Sequence, residues 1–150
     1  MKTMGVLGGV GPQATMDFEA RVHAVSQRLL PPNGNRGYPP MVVYYHRGEL
    51  AEMRDGGTAV RADSGLLDAA RRLGAWADFL VMPCNGAHRW LVTIEEAFGG
   101  PVLSIIDVTV EEVRRRQAKT VGLITYGEPV VYRQPLQPAG LRCESLPEDL

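Results

Sequence analysis

One cysteine carries most of the chemistry in this sequence. Cys84 follows Asp78-Phe79-Leu80-Val81-Met82-Pro83, an apolar run that reads as a short buried strand. It precedes Asn85-Gly86-Ala87-His88, a tight turn that opens a helix continuing through Trp90, Leu91, Ile94 and Phe98. A thiol so placed lies at the carboxyl end of a strand and faces the positive end of a helix, a setting that favours an anion. α/β proteins carry reactive groups at that edge of their sheets. The competing reading makes Cys84 a small buried apolar residue, the commonest fate of a free cysteine. His88 stands one helical turn after the thiol, but the two side chains meet only if Cys84 is already helical, which the turn opposes. A histidine hydrogen-bonding locally at a helix start is the expectation, and His23 and His46 have no partners that suggest a role.

A second constellation lies near the amino terminus. Met4-Gly5-Val6-Leu7 reads as a strand broken by Gly8-Gly9-Val10-Gly11-Pro12, and Pro12 suits the first position of a helix, where its missing N–H would be unpaired anyway. Gly9-Val10-Gly11-Pro12-Gln13-Ala14 also fits the dinucleotide pattern G-x-G-x-x-A between a strand and a helix. That fingerprint expects an acidic residue near the end of the second strand, where this chain has Tyr45-His46-Arg47. An NADP-type site using Arg47 is therefore a competing reading.

The elements that must position these residues alternate along the chain. Phe18, Val22, Val25 and Leu29 form one apolar stripe of a first helix. Residues 31–40 are a Gly/Pro-rich loop, Met41-Val42-Val43-Tyr44-Tyr45 is a second strand, and His46 to Gly57 reads as a long charged loop. A helix is expected from about Thr58 to Leu73, with Ala59, Ala62, Leu66, Ala69 and Leu73 on one face. The Cys84 strand and helix follow, then a strand at 101–105, a helix with Asp107 as its N-cap, and a strand at 120–125. Such alternation predicts an α/β fold, a doubly wound parallel sheet covered on both faces.

Composition sets the frame. The 150 residues are 45% hydrophobic and 22% charged, the balance of a globular protein, and a chain of this length buries roughly 68–70% of its unfolded surface. The net charge is −1 and no stretch concentrates lysine or arginine, so a nucleic-acid partner is not expected. Arg114-Arg115-Arg116 reads as the solvated end of a helix. No apolar run approaches the ~18 residues of a membrane span. Met1 runs directly into the first strand without a signal-like segment, which places the expected location in a reducing cytoplasm. The two cysteines, far apart and in unlike contexts, suggest neither a metal site nor a disulfide framework.

An internal repeat adds a constraint. Lys2-Thr3-Met4-Gly5-Val6-Leu7-Gly8-Gly9 recurs as Lys119-Thr120-Val121-Gly122-Leu123-Ile124-Thr125-Tyr126-Gly127. A first lobe over 1–118 and the beginning of a second, incomplete lobe over 119–150 are therefore expected. A counterpart of Cys84 at the same offset would fall beyond Leu150.

Gly5-Val6-Leu7-Gly8-Gly9-Val10-Gly11-Pro12-Gln13-Ala14-Thr15-Met16-Asp17 resembles the amino-terminal signature of the aspartate/glutamate racemases, and Met82-Pro83-Cys84-Asn85-Gly86-Ala87-His88 resembles their first catalytic-cysteine motif. Weaker likeness extends through 101–106 and Val121-Gly122-Leu123-Ile124-Thr125. The resemblance implies two similar lobes with the site between them, neither pyridoxal phosphate nor a metal, an amino acid or dicarboxylate as the small-molecule partner, and a homodimer. It implies two opposed cysteines, one removing the α-proton and the other returning a proton to the opposite face. Cys84 is then the catalytic thiol, and Val10, Gly11, Asn85, Gly86, Ala87 and Thr125 are the residues expected to hold substrate. Arg47 and Arg54 are candidates to pair bidentately with its carboxylates.

The chemistry accounts for those residue types. An amino-acid α-proton is very weakly acidic, so its base must be strong and close, as a desolvated thiolate is. The carbanion's carboxylate needs preorganised donors.

The departures bear on function. Gly86 stands where the family usually has threonine, Val10 where methionine is commoner, and the usual arginine-containing loop motif is not recognisable between His46 and Gly57. Cys143, in Leu141-Arg142-Cys143-Glu144, has the wrong neighbours for the second catalytic cysteine and reads as structural. Alternatives are a truncated, inactive lobe, or a one-cysteine relative such as a decarboxylase or isomerase.

Overall fold

Four short apolar runs form one parallel sheet. The computed structural model describes residues 1–30, 37–54, 58–124, 130–138 and 140–145. Its strands are β1 (Met4–Gly8), β2 (Met41–Tyr45), β3 (Ala51–Arg54), β4 (Thr58–Ala62), β5 (Phe79–Val81), β6 (Val102–Leu103), β7 (Thr120–Leu123) and β8 (Arg142–Ser145). The sheet has the order β2-β1-β5-β6, with Val6 opposite both Val43 and Val81 and Leu80 opposite Val102. Strands of a sheet covered on both faces read as continuous apolar runs, and residues 5–8 of β1 are all buried.

Helices connect these strands: α1 (Pro12–Leu29) between β1 and β2, α2 (Ser64–Gly74) before β5, and α3 (Leu91–Phe98) before β6. Parallel strands are joined by right-handed crossovers. Because the order of strands reverses at β1, that handedness puts α1 on one face and α2 with α3 on the other. The core fills the α2/α3 side. Leu7, Leu80 and Met82 from the strands meet Leu66, Ala69, Ala70 and Leu73 of α2 and Ile94 and Phe98 of α3. The α/β fold and the parallel sheet are as the sequence predicts.

Several local expectations need correction. The loop expected from His46 to Gly57 and the first turns of the helix expected from Thr58 are an antiparallel pair, β3 with β4. Ala59 and Ala62 keep helical spacing with Leu66, yet Asp63 stops the helix short of them. Its Oδ1 accepts from the N–H groups of Gly65 (2.9 Å) and Leu66 (3.2 Å), capping α2 at Ser64; such a cap stabilises by ~1 kcal/mol. The helix expected right after Cys84 begins instead as a 3-10 turn, Gly86–Trp90, before α3 takes over. In α1 the inward face is Thr15, Phe18, Val22 and Ser26, so Val25 and Leu29 of the expected stripe are exposed.

The chain divides into two compact units, Met1–Leu103 and Ser104–Leu150. The second holds α4 (Ile105–Arg115), β7, α5 (Val130–Leu136) and β8, so position 119, the expected start of a second lobe, falls inside it. Here β7 pairs in parallel with β8, Val121 opposite Cys143, over a small core of Val110, Leu136 and Leu141. Ser104, not Asp107, caps α4: its Oγ accepts from Asp107 N–H at 3.2 Å.

Candidate active site

A sheet whose strand order reverses opens a crevice outside the carboxyl ends of its two central strands, and that is where ligands of α/β proteins bind. In the first unit those strands are β1 and β5. The loop leaving β1 is Gly9-Val10-Gly11, and the loop leaving β5 is Met82-Pro83-Cys84-Asn85. The two motifs singled out in the sequence therefore flank one crevice.

The glycine loop is closed by steric fit. A Cβ on Gly8 would lie 2.4 Å from Thr15 Cγ2, and one on Gly9 (φ +86°) would lie 2.5 Å from the backbone O of His46. Only a residue without a side chain fits either place without moving backbone or the first turn of α1. The Thr15 hydroxyl completes the closure, accepting from Gly9 N–H at 3.0 Å and donating to Gly11 O at 3.2 Å. Gly11 is the N-cap residue of α1 and Pro12 its first residue. The next N–H groups of that turn have no intrahelical acceptor. They lie at the positive end of an 18-residue helix.

The Cys84 thiol is partly buried and packs, with Val10 and Leu50, against the apolar cluster under the crevice. Its carbonyl accepts from His88 Nδ1 at 2.9 Å. A carbonyl oxygen only accepts, so this bond puts a proton on Nδ1. His88 is thus a local anchor of the turn, as the spacing predicts. Asn85 O accepts from His88 N–H at 3.2 Å. Ala87 and His88 are buried while Asn85 and Gly86 are exposed, so the turn presents its first two residues beside the thiol.

The loop after β2 forms the third wall. His46 N–H donates to Gly8 O at 2.8 Å, extending the β1–β2 ladder by one bond. The His46 ring is 7% exposed, with Nε2 donating to Glu49 O at 3.1 Å and standing 3.9 Å from Asp63 Oδ1. Tyr45 donates its hydroxyl to Glu19 at 2.9 Å, and this bond holds the phenol above its ordinary pKa. Arg47 is exposed. Arg54 ends β3, but its side chain, like the whole of Thr125, lies outside the described residues.

The structure therefore brings Val10 and Gly11 to the same edge of the sheet as Cys84, Asn85 and Gly86, with Ala87 buried in the core beneath them. Sequence reasoning missed three residues there. Thr15 is a buried hydroxyl one turn after Gly11, His46 is buried at a strand end, and Leu50 is an apolar residue inside a charged loop. The first two had a signal in their spacing from the glycines and the strand; Leu50 became meaningful only once the hairpin was seen. Cys143 lies in β8 of the other unit, partly buried in its core, in keeping with a structural role. Among the described residues no cluster of three His, Cys, Asp or Glu side chains could hold a metal ion, and no helix is long and apolar enough to cross a membrane.

Known proteins share this fold. Residues 7–142 match the family described as Asp/Glu/Hydantoin racemase. The broad specificity amino-acid racemase RacX of Bacillus subtilis (strain 168) is 30% identical over 131 residues, covering 85% of this chain and 56% of RacX. An aspartate racemase homologue from Pyrococcus horikoshii OT3 superposes with a TM-score of 0.80 at 22% identity, over 99% of this chain and 66% of that one. The Picrophilus torridus aspartate racemase gives 0.71 at 19% identity, again over 99% of this chain, and over 64% of its own. The chain thus spans between about half and two thirds of the length of these relatives. With a family match across most of its sequence and the aspartate racemase fold, the chain belongs to the Asp/Glu/hydantoin racemase family.

Proposed function

We propose that the chain carries the first catalytic lobe of an amino-acid racemase of the aspartate/glutamate type, which works without a cofactor and moves the substrate α-proton with Cys84. The observation that carries this reading is the position of the thiol: it stands on the turn after β5, beside the glycine loop after β1, at the crevice where the strand order reverses. In this reading the Cys84 thiolate takes the α-proton and becomes the thiol. The C–H electron pair passes into the α-carboxylate, whose charge is met by N–H donors of the Asn85-Gly86-Ala87 turn and the Val10-Gly11 loop. Asn85 supplies a side-chain donor. A second acid returns a proton to the opposite face. Arg47, Arg54 and Thr125 belong to the substrate side of the same reading, residues 119–150 to the beginning of a second similar lobe, and the whole to a cytoplasmic homodimer.

The test is α-proton exchange. The full chain is incubated in D₂O with L-aspartate, L-glutamate or L-leucine, and the α-proton is followed by NMR beside Cys84→Ala. Loss of the signal is expected with the native chain and at least ~100-fold slower exchange with Cys84→Ala, the scale of a lost general base. Exchange that persists in the variant, or none with any of the three amino acids, counts against the reading. The configuration of the product shows from which face the proton returns.

A further inference from the structure

The inference deepens the racemase reading above, on which it rests, and concerns what fixes the donors of the glycine loop. Thr15 is 1% exposed, and its hydroxyl is used in both directions within the chain. The oxygen accepts from Gly9 N–H at 3.0 Å while the O–H donates to Gly11 O at 3.2 Å, so one side chain spans the loop. Gly11 O also accepts from Thr15 N–H at 3.1 Å, and Gly8 O accepts from His46 N–H at 2.8 Å. These bonds commit Gly8 O, Gly9 N–H and Gly11 O to the protein itself. The N–H groups of Val10 and Gly11 differ: among the described residues neither has an acceptor. A backbone donor of that kind takes its partner from water or from a ligand.

Gly9 and Gly11 flank Val10, and glycine gives a backbone little restraint of its own. Donors stabilise a developing negative charge only if they are already aimed when the charge appears. The buried Thr15 hydroxyl does not reach an occupant of the crevice, so its influence passes through the peptide groups that it ties down. We propose that Thr15 is a positioning residue: by bonding Gly9 N–H and Gly11 O together, it keeps the N–H groups of Val10 and Gly11 aimed at the substrate α-carboxylate.

Protection of the thiol tests this separately from catalysis. The full chain is alkylated with iodoacetamide in rising concentrations of L-aspartate, L-glutamate or L-leucine. Modification of Cys84 is followed by peptide mass spectrometry, with Cys143 as the internal reference. Thr15→Val keeps the shape and removes the hydroxyl. It should raise the half-protecting concentration at least ~10-fold, the scale of a weakened hydrogen bond to a charged group. Thr15→Ser, which restores the hydroxyl, should return that concentration close to the native value. The Cys84 rate without amino acid is the control for a general disturbance of the site. Amide exchange in the native chain gives a second reading should Thr15→Val fail to fold. Gly9 should exchange slowly throughout, whereas Val10 and Gly11 should exchange fast and be slowed by the protecting amino acid. Native-like protection in Thr15→Val, an equal loss in Thr15→Ser, or protection by none of the three amino acids overturns the proposal. So does a Cys84 rate that shifts as much without amino acid, or exchange at Val10 and Gly11 that no amino acid slows. Protection that depends on Thr15 without α-proton exchange would instead sink the racemase reading and leave the role of Thr15 standing.

Discussion

The two strands of the internal repeat share a pattern and have opposite surroundings. In β1, Gly5, Val6 and Leu7 are buried, with β2 on one side and β5 on the other. The matching stretch of the second unit is Gly122, Leu123 and Ile124; β7 alternates exposed and half-buried, and β8 is its one neighbour among the described residues. The extreme case is the last pair: Leu7 is 1% exposed and Ile124 86%. Similar local preferences thus give a core strand in one place and an edge in the other. Strand propensity describes a residue's fit to a pleated surface, and what covers that surface decides its energy.

The sharpest way to break this comparison is to truncate the matched apolar residues. Leu7→Ala should destabilise by ~2–5 kcal/mol, lost transfer energy plus a cavity, while Ile124→Ala should stay within ~0.5 kcal/mol. Urea midpoints of the two variants measure the difference, and similar losses would mean that something covers Ile124. The matched glycines come next. A Cβ at Gly5 meets Ala77 Cβ at 3.0 Å and Leu80 Cδ1 at 3.3 Å, whereas nothing lies within 4 Å at Gly122. Gly5→Ala should therefore cost ~1–3 kcal/mol through overpacking. Gly122→Ala should be neutral or slightly stabilising, since alanine loses less backbone entropy in a strand. Paired thermal melts would show it.

The smallest effect belongs to the surface of the second unit. Glu112 bonds to Arg115 and Arg116, which lowers its carboxyl from the ordinary 4.5 to about 2. A lowered folded-state value stabilises the protein above the unfolded-state value, and that contribution is lost as pH falls from about 4.5 through about 2. Glu112→Gln should therefore flatten the acid limb of a stability-against-pH curve slightly, and added salt should shrink the difference because the group is exposed.

Much of this was legible in the sequence because it rests on local rules. The glycine loop, the Cys84 strand and the alternation of strands with helices follow from turn chemistry and apolar runs. What failed was decided by distant partners. Residues 58–62 carry alanines at helical spacing, yet they pair with 51–54 across a register shift. The stripe of α1 rotated toward Thr15 and Ser26 because the Thr15 hydroxyl is needed at the glycine loop. His46 and Leu50 are loop residues whose backbones are held by distant partners, Gly8 of β1 and the Asp63 cap of α2. Arg54 ends a strand instead of lying within a loop.

The closure of the glycine loop by Thr15 and His46 has an evolutionary consequence. Gly8, Gly9 and Thr15 are dictated by the fold itself, whatever molecule occupies the crevice, so a change of substrate does not release them. Leu50 and Gly86 meet at the Cys84 turn, where a Cβ on Gly86 would lie 3.2 Å from Leu50 Cδ2. A lineage built on this scaffold therefore inherits the frame of the site before it inherits any particular substrate.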